Sequence, residues 1–343
     1  MADENDQLEN IQNLFSSTEK LFLLGAGCSV CVGLPVMEKL TENVLGKATG
    51  KTCEILNAIN DEVGGNIENI LSQLNNYIAV ASKRIAASTD IQINNFIFEK
   101  KELKAAVQEA KKLIATDIEA ALKTPTHHLD FVKAVHRTQR PGRKTNAPLI
   151  YYFILNYDTL IEDALGSEGI SYTDGMLGGA TAYWTPNLFD KNYFQAKVLK
   201  LHGSLDWYRK PDTEDIRRLP KHMRTDEPQL IIAPAESKYA ETQAHPYTTL
   251  MAQFRDVLTR SHKDTTLFII GYGFGDAHIN KHIEQALKFN EKLTVVVLAK
   301  AVPDDSPVAN WQDDDDTNKR LIVLKDDESW KFENFTKLIG ESE

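Results

Sequence analysis

The chain has 343 residues but only three cysteines, and no apolar run approaches the 18 or more residues that a bilayer crossing needs. Three cysteines cannot build a disulfide framework. Cys28 and Cys31 form a Cys-x-x-Cys pair, but no second such pair and no His-x3-His partner supplies the other ligands of a structural zinc site. A thioredoxin-like redox role competes with the position of both cysteines inside a glycine-rich loop. The opening stretch Met1 to Asn10 is acidic and polar, without the basic and apolar halves of a signal peptide, so a cytoplasmic protein is expected. Positive charge is also scarce: 39 Lys and Arg against 49 Asp and Glu leave a net charge of −10. A broad nucleic-acid face needs clustered cations. Direct nucleic-acid binding without a partner is therefore not expected, although a local basic groove or a basic partner chain is compatible with this balance.

What remains is the composition of an ordinary globular protein, 42% hydrophobic and 26% charged, long enough for one large α/β domain and a smaller inserted one. Residues 1–18 read as a polar leader. Lys20-Leu-Phe-Leu-Leu24 is a short apolar run ending in Gly25-Ala-Gly27, the pattern of a buried strand and a tight turn. A helix is expected from about Pro35. From about Thr52 to Arg143 strand-like runs vanish. Ile67, Ile70, Leu71, Leu74 and Ile78 recur at helical spacing, as do Leu103, Val107, Ala110, Leu113, Ile114 and Ile118. Three to five helices are predicted there, ending in a linker over Arg137 to Pro148. Strand–helix alternation then resumes: strands at Leu149–Leu155, Lys197–Leu201, Gln229–Ala233, Thr266–Ile270, Leu293–Ala299 and Leu321–Lys325, with helices at Asp158–Leu165, Tyr247–His262 and Asp276–Asn290. The acidic run Asp313–Asp316 reads as a solvated loop.

Near-continuous apolar strands between amphipathic helices imply a doubly wound parallel sheet with an inserted helical subdomain. The boundaries drawn are a leader at 1–18, an α/β domain from 19–50 and 145–343, and a helical insertion at 51–144. In open sheets of this kind ligands bind at the carboxyl ends of the strands. Four polar motifs each follow a predicted strand: Gly25-Ala-Gly-Cys-Ser29, Asn156-Tyr-Asp158, His202-Gly-Ser204 and Gly271-Tyr-Gly-Phe-Gly-Asp276. Gly25 and Gly27 would let backbone N–H groups approach a pyrophosphate. Val30 stands where a dehydrogenase fingerprint needs glycine, so that pattern fails. Two glycine loops suit a ligand with two ends, such as a dinucleotide, and neither Gly27 nor Gly273 is expected to accept a side chain. Asp158 could cap a helix, Asn156 could hydrogen-bond sugar hydroxyls or position a water, and His202 could serve as a general base.

Together these motifs resemble the sirtuin family. Gly25-Ala-Gly-Cys-Ser-Val-Cys-Val-Gly-Leu-Pro35 is similar to its cofactor loop, Asn156-Tyr-Asp158 to its Asn-x-Asp motif, and His202-Gly203 to its catalytic His-Gly. The resemblance covers about 19–50 and 145–300. Asn156-Tyr-Asp-Thr-Leu-Ile-Glu162 and Gly271-Tyr-Gly-Phe-Gly-Asp-Ala-His-Ile-Asn280 look closer to a bacterial antiphage-defence branch that hydrolyses NAD. The resemblance implies a Rossmann-like, sirtuin-type fold and an NAD glycohydrolase, with NAD as substrate. It implies Asn156, Asp158 and His202 as catalytic residues. It places Gly25, Ala26, Gly27, Ser29, Gly33 and Pro35 around the phosphate and adjoining ribose, and Gly271, Gly273 and Asp276 at the adenosine end. Deacylases carry Asp-Phe-Arg where this chain has Val36-Met37-Glu38, and a four-cysteine zinc ribbon where it has residues such as Pro211 to Pro228. No zinc is expected, and protein deacylation is the alternative activity. A second alternative is an NAD- or ADP-ribose-binding subunit of a nucleic-acid-processing defence complex. A HerA/FtsK-type translocase ATPase partner follows from the same resemblance, and a homo-oligomer is expected because an unrestrained NAD hydrolase would deplete its own host's cofactor. The helical insertion is the candidate element for restraining turnover through assembly.

Overall fold

The computed structural model describes residues 4–83, 90–137, 149–210, 213, 215–224, 229–231, 245–325 and 328–339. Strand β1 (Glu19–Leu24) is central because its Leu21-Phe-Leu-Leu24 run is buried on both faces, as a strand covered by two layers must be. With β4 (Ile150–Ile154), β5 (Tyr172–Thr173), β8 (Ala196–Lys200), β12 (Thr265–Ile270), β13 (Leu293–Ala299) and β14 (Leu321–Lys325) it forms one parallel sheet in the order β14-β13-β12-β1-β4-β8-β5. Leu21 and Leu23 join one core with Phe254, Ile279, Ile283 and Leu287 of helices α8 (Tyr247–Leu258) and α9 (Ala277–Phe289). Phe22 and Leu24 join another on the opposite face, with Phe131 of α6 (Thr126–His136) and Ile161 of α7 (Leu160–Ser167). The doubly wound architecture read from the sequence is the observed one.

The chain leaves β1 for β4 on one side and later returns to β12 on the other. This makes the end of β1 the switch point where an open sheet leaves a crevice. Register aligns the strand ends there: Leu24 pairs with Ile154 and with Ile270, and Ile154 with Lys200. The residues that follow, Gly25, Asn156, His202 and Gly271, therefore share one rim.

Several elements differ from the sequence reading. Residues assigned to a polar leader form helix α1 (Glu4–Ser17), whose Ile11 and Phe15 pack into the sheet's second core. Leu8, Ile11 and Phe15 are spaced to share a helix face among polar neighbours, a pattern too sparse to stand out. The segment expected to be all helical holds a hairpin, β2 (Ile91–Ile93) with β3 (Phe96–Phe98). Helix α2 (Met37–Lys47) shares one core with α3 (Gly50–Val63), α4 (Ile67–Lys83) and α5 (Lys100–Ala121), so the helical core begins before residue 51. Helix α6 instead covers the main sheet. A five-stranded antiparallel sheet, β11-β9-β10-β7-β6, was not foreseen; it comprises β6 (Met176–Gly178), β7 (Ala182–Trp184), β9 (Gly203–Arg209), β10 (Ile216–Arg218) and β11 (Gln229–Ile231). The strand expected at 229–233 thus pairs with β9 rather than in the main sheet, and its residues 232–233 lie outside the described residues. So do the expected linker beyond residue 137 and much of 211–228. The acidic run is not a loop either: Asp313 ends α10 (Pro307–Asp313), and Asp314 accepts from the N–H groups of Asp316 and Thr317 to cap α11 (Asp315–Asn318). Among the described residues no helix is long and apolar enough to cross a membrane.

Helix α1 is therefore expected to stabilise the fold. Phe15 is 3% exposed and meets Phe268 and Phe335 edge-on, at centroid distances of 5.8 and 6.2 Å. Phe15→Ala should lower the unfolding free energy by about 3–5 kcal/mol in denaturant titration, within the range for a truncated core aromatic. An unchanged midpoint would show α1 to be dispensable.

Candidate functional site

A cavity of about 490 Å³ opens at the aligned strand ends, within the range of about 300–1,000 Å³ for cofactor-sized pockets. Gly25, Ala26, Gly27, Ser29, Pro35, Asn156, Asp158, His202, Gly271, Gly273 and Asp276 all line it. The structure thus brings together every site residue read from the sequence except Gly33, which at φ 86° ends the 3-10 turn Ala26–Val32 outside the lining.

The two glycine turns interlock. Gly25 N–H donates to the Ile270 carbonyl and Gly27 N–H to the Gly271 carbonyl, both at 2.9 Å. These two donors are engaged within the protein. What the glycines provide is close approach: a Cβ on Gly25 would overlap the Gly271 carbonyl oxygen, and one on Gly27 would stand 2.7 Å from the Gly271 Cα. Gly271 itself has φ 63°, a conformation that favours glycine. Gly273 is different, because a Cβ there meets nothing within 4 Å and its φ is not positive. Within the protein itself, nothing described stands in the way of a side chain at residue 273.

Both cysteine thiols face carbonyls, Cys28 donating to Ile270 at 3.2 Å and Cys31 to Cys28 at 3.3 Å. Burial pushes Cys28 well above the ordinary thiol range and Cys31 up to about 11. Neither has the thiolate character that redox chemistry uses.

A chain of hydrogen bonds fixes the orientation of Asn156. The Ser29 hydroxyl has one proton, which it donates to Asp158 Oδ2 at 2.7 Å. It must then accept from Asn156, so the amide NH2 faces Ser29 at 2.8 Å and Oδ1 is turned away. That Oδ1 is buried and has no hydrogen-bond partner among the described residues. Asp158, 5% exposed, also accepts from Leu160 N–H at 3.1 Å and so ties Ser29 to the start of α7. Beneath this turn the fully buried Lys200 donates to the Asp158 carbonyl and lies 3.5 Å from Glu162, whose carboxyl is pushed up by burial and held back by that lysine.

His202 occupies the corner between the two sheets, after β8 and just before Gly203 opens β9 at φ 85°. It is 3% exposed. Its Nε2 lies 3.0 Å from Asp276 Oδ2. Asp276, expected at the adenosine end, also caps α9 by accepting from the N–H groups of His278 and Ile279.

The sequence reading missed the far wall. Helices α2, α4 and α5 contribute Met37, Leu40, Glu68, Asn69 and Ile118, with Asn66 just before α4, and Tyr157 donates to Glu68 at 3.1 Å. Asn66-Ile-Glu-Asn69 resembles any polar helix start, and nothing local shows that it meets the sheet rim. Among the described residues no lysine or arginine lines the cavity; its charged side chains are Glu68, Asp158 and Asp276, with His202 titratable beside them.

Residues 151–322, half of the chain, match the model of the SIR2-like domain family. The chain belongs to the SIR2-like domain family. No curated protein matches its sequence. Among solved structures, a Sir2 homologue in complex with NAD is 14% identical at a TM-score of 0.49, covering 96% of this chain and 92% of that one. A Sir2 variant with a deacetylated p53 peptide and 3'-O-acetyl-ADP-ribose is 10% identical at 0.46, covering 97% and 96%. The matched SIR2-like segment includes Asn156, Asp158, His202 and the second glycine turn, while the first turn and the helical wall lie outside it. Among the described residues of this SIR2-like chain no three His, Cys, Asp or Glu side chains are grouped to hold a metal.

The interlock separates the two glycine turns in a testable way. Gly27→Ala should destabilise the protein by about 1–3 kcal/mol, the usual cost of forcing a methyl into a packed contact, and should weaken ligand binding. Gly273→Ala should leave the melting temperature unchanged. Equal effects at both positions in thermal melts would refute the close-packing account.

Proposed function

We propose that this SIR2-like chain hydrolyses NAD at the nicotinamide–ribose bond, releasing nicotinamide and ADP-ribose. The observation that carries this reading is Asn156, whose amide is oriented by Ser29 so that its buried Oδ1 is left with no partner among the described residues, in the lining of a cofactor-sized cavity that His202 also lines. A buried acceptor without a protein partner implies a ligand donor or an ordered water. Ribose hydroxyls and an attacking water both offer such a donor.

The chemistry asks little of an acid. As the C1'–N bond breaks, its electron pair returns to the pyridinium ring and nicotinamide leaves neutral. Positive charge builds on the ribose, and carboxylates in the wall stabilise it electrostatically. A water oxygen then bonds to C1', and its proton passes to His202 or to solvent. Asn156 holds the ribose or that water, while Asp158 acts through Ser29 by keeping the Asn156 amide turned. The helical wall lines the site with Leu40, Met37 and Ile118, apolar side chains that give water no hydrogen-bond partner. Such an activity suits an antiphage-defence role in which the infected cell loses its NAD.

Two measurements test this reading. His202→Gln and Asn156→Ala should each lower NAD turnover by about 10²–10⁴-fold, the usual span for losing a positioned acid–base group. Glutamine keeps a polar group at the buried position 202, which protects folding. Wild-type turnover in both variants would defeat the assignment. The acidic lining should also discriminate against a further phosphate. NADP should be used at least about tenfold less efficiently than NAD, which corresponds to about 1.4 kcal/mol. Equal kcat/KM for the two would show that the carboxylates do not face the ligand.

A further inference from the structure

Asp276 has two carboxylate oxygens with separate tasks. Oδ1 accepts from the backbone N–H of His278 at 2.9 Å and of Ile279 at 3.3 Å, at the start of a 13-residue helix whose positive end favours negative charge. Oδ2 faces His202 Nε2 at 3.0 Å. The residue is held further by Tyr272, whose hydroxyl accepts from Asp276 N–H at 3.1 Å and lies 3.0 Å from Asn280 Oδ1. Both members of the pair are buried, Asp276 at 4% exposure and His202 at 3%. The carboxylate therefore cannot turn without giving up the helix cap.

We propose that Asp276 is a positioning residue that holds His202 in one orientation and in the Nε2–H tautomer, so that Nδ1 carries the basic lone pair. The proposal rests on the nicotinamide–ribose cleavage above for its catalytic meaning, and on geometry alone for the tautomer. A carboxylate only accepts, so the ring nitrogen facing it must carry the proton. In a neutral imidazole the other nitrogen is then the base. Asp276 thus belongs with His202 rather than with an adenosine subsite.

The same geometry dictates an unequal response to two capping residues. In Asp276→Asn the atom meeting two backbone N–H donors must remain an oxygen, so the amide NH2 faces His202. That donor forces Nε2 to accept and moves the ring proton to Nδ1. Asn and Ser both cap helices well, so folding survives either change. Ser is too short to contact the ring and imposes no tautomer. The expected order of turnover is wild type, then Asp276→Ser, then Asp276→Asn, with the asparagine protein about 10²–10⁴-fold below wild type. A residue that only capped the helix would give two near-normal proteins.

The test uses the full chain labelled with nitrogen-15, His202 being assigned by its loss in His202→Gln. Imidazole nitrogen shifts should show Nε2–H in the wild type and Nδ1–H in Asp276→Asn. NAD kinetics on the same samples should show kcat falling in the stated order while KM stays close to wild type. Nδ1–H in the wild type, or equal turnover in the Asn and Ser proteins, would overturn the proposal. If wild-type protein leaves NAD intact, the cleavage reading fails, and the tautomer shifts still decide whether Asp276 holds the ring.

Discussion

The contact on which the site depends is between two backbone turns. Gly25 and Gly27 at the end of β1 lie against Gly271 at the end of β12, near enough that any Cβ would part them. This closeness exists because β1 and β12 are adjacent parallel strands whose last residues, Leu24 and Ile270, are in register. It anchors one wall of the cavity in the sheet itself, so the wall inherits the rigidity of the best-buried part of the molecule. The polar groups of this wall then hang from neighbouring strand ends: Asn156 and Asp158 from β4, His202 from β8, and Asp276 from the start of the helix after β12.

The opposite wall is built differently. Helices α2 to α5 form their own core, which reaches the α/β domain through Tyr157, Leu160 and Leu205. This wall supplies apolar cover and one carboxylate, Glu68, tied to Tyr157 on the sheet side. The cavity thus lies between the sheet rim and a helical unit whose core also takes in Val32 and Leu34 of the first glycine turn, and whose Glu119 pairs with Arg224. Burial raises the Tyr157 hydroxyl well above its usual range, with Glu68 adding to the effect, so Tyr157 remains a hydrogen-bond donor to that carboxylate.

The parts of this arrangement that were legible in the sequence follow from local pattern. Apolar runs such as Leu21–Leu24 and Leu267–Ile270 announce buried strands, and the rule that ligands sit at strand ends gathers the four motifs into one place. What was not legible depends on contacts remote in sequence. The α1 stripe of Leu8, Ile11 and Phe15 gains meaning only against Phe268 and Phe335. The short antiparallel strands carry too few residues for a period to show. Asp276 reads as a helix cap and is one, but its second oxygen reaches a histidine 74 residues away. Gly25 and Gly27 stand out in the sequence as a tight turn, but that their own N–H groups bond Ile270 and Gly271 does not. In each case the residue type was visible and its partner was not.

The account is tested most directly by the products of NAD. Purified full-length protein would be incubated with NAD over a range of protein concentrations, and the mixture resolved by chromatography and mass spectrometry. The expected result is nicotinamide and ADP-ribose in equal amounts, formed at a rate that rises with protein. Intact NAD at every concentration, or cleavage at the pyrophosphate to mononucleotides, would contradict the reading of this cavity as a site for nicotinamide–ribose cleavage.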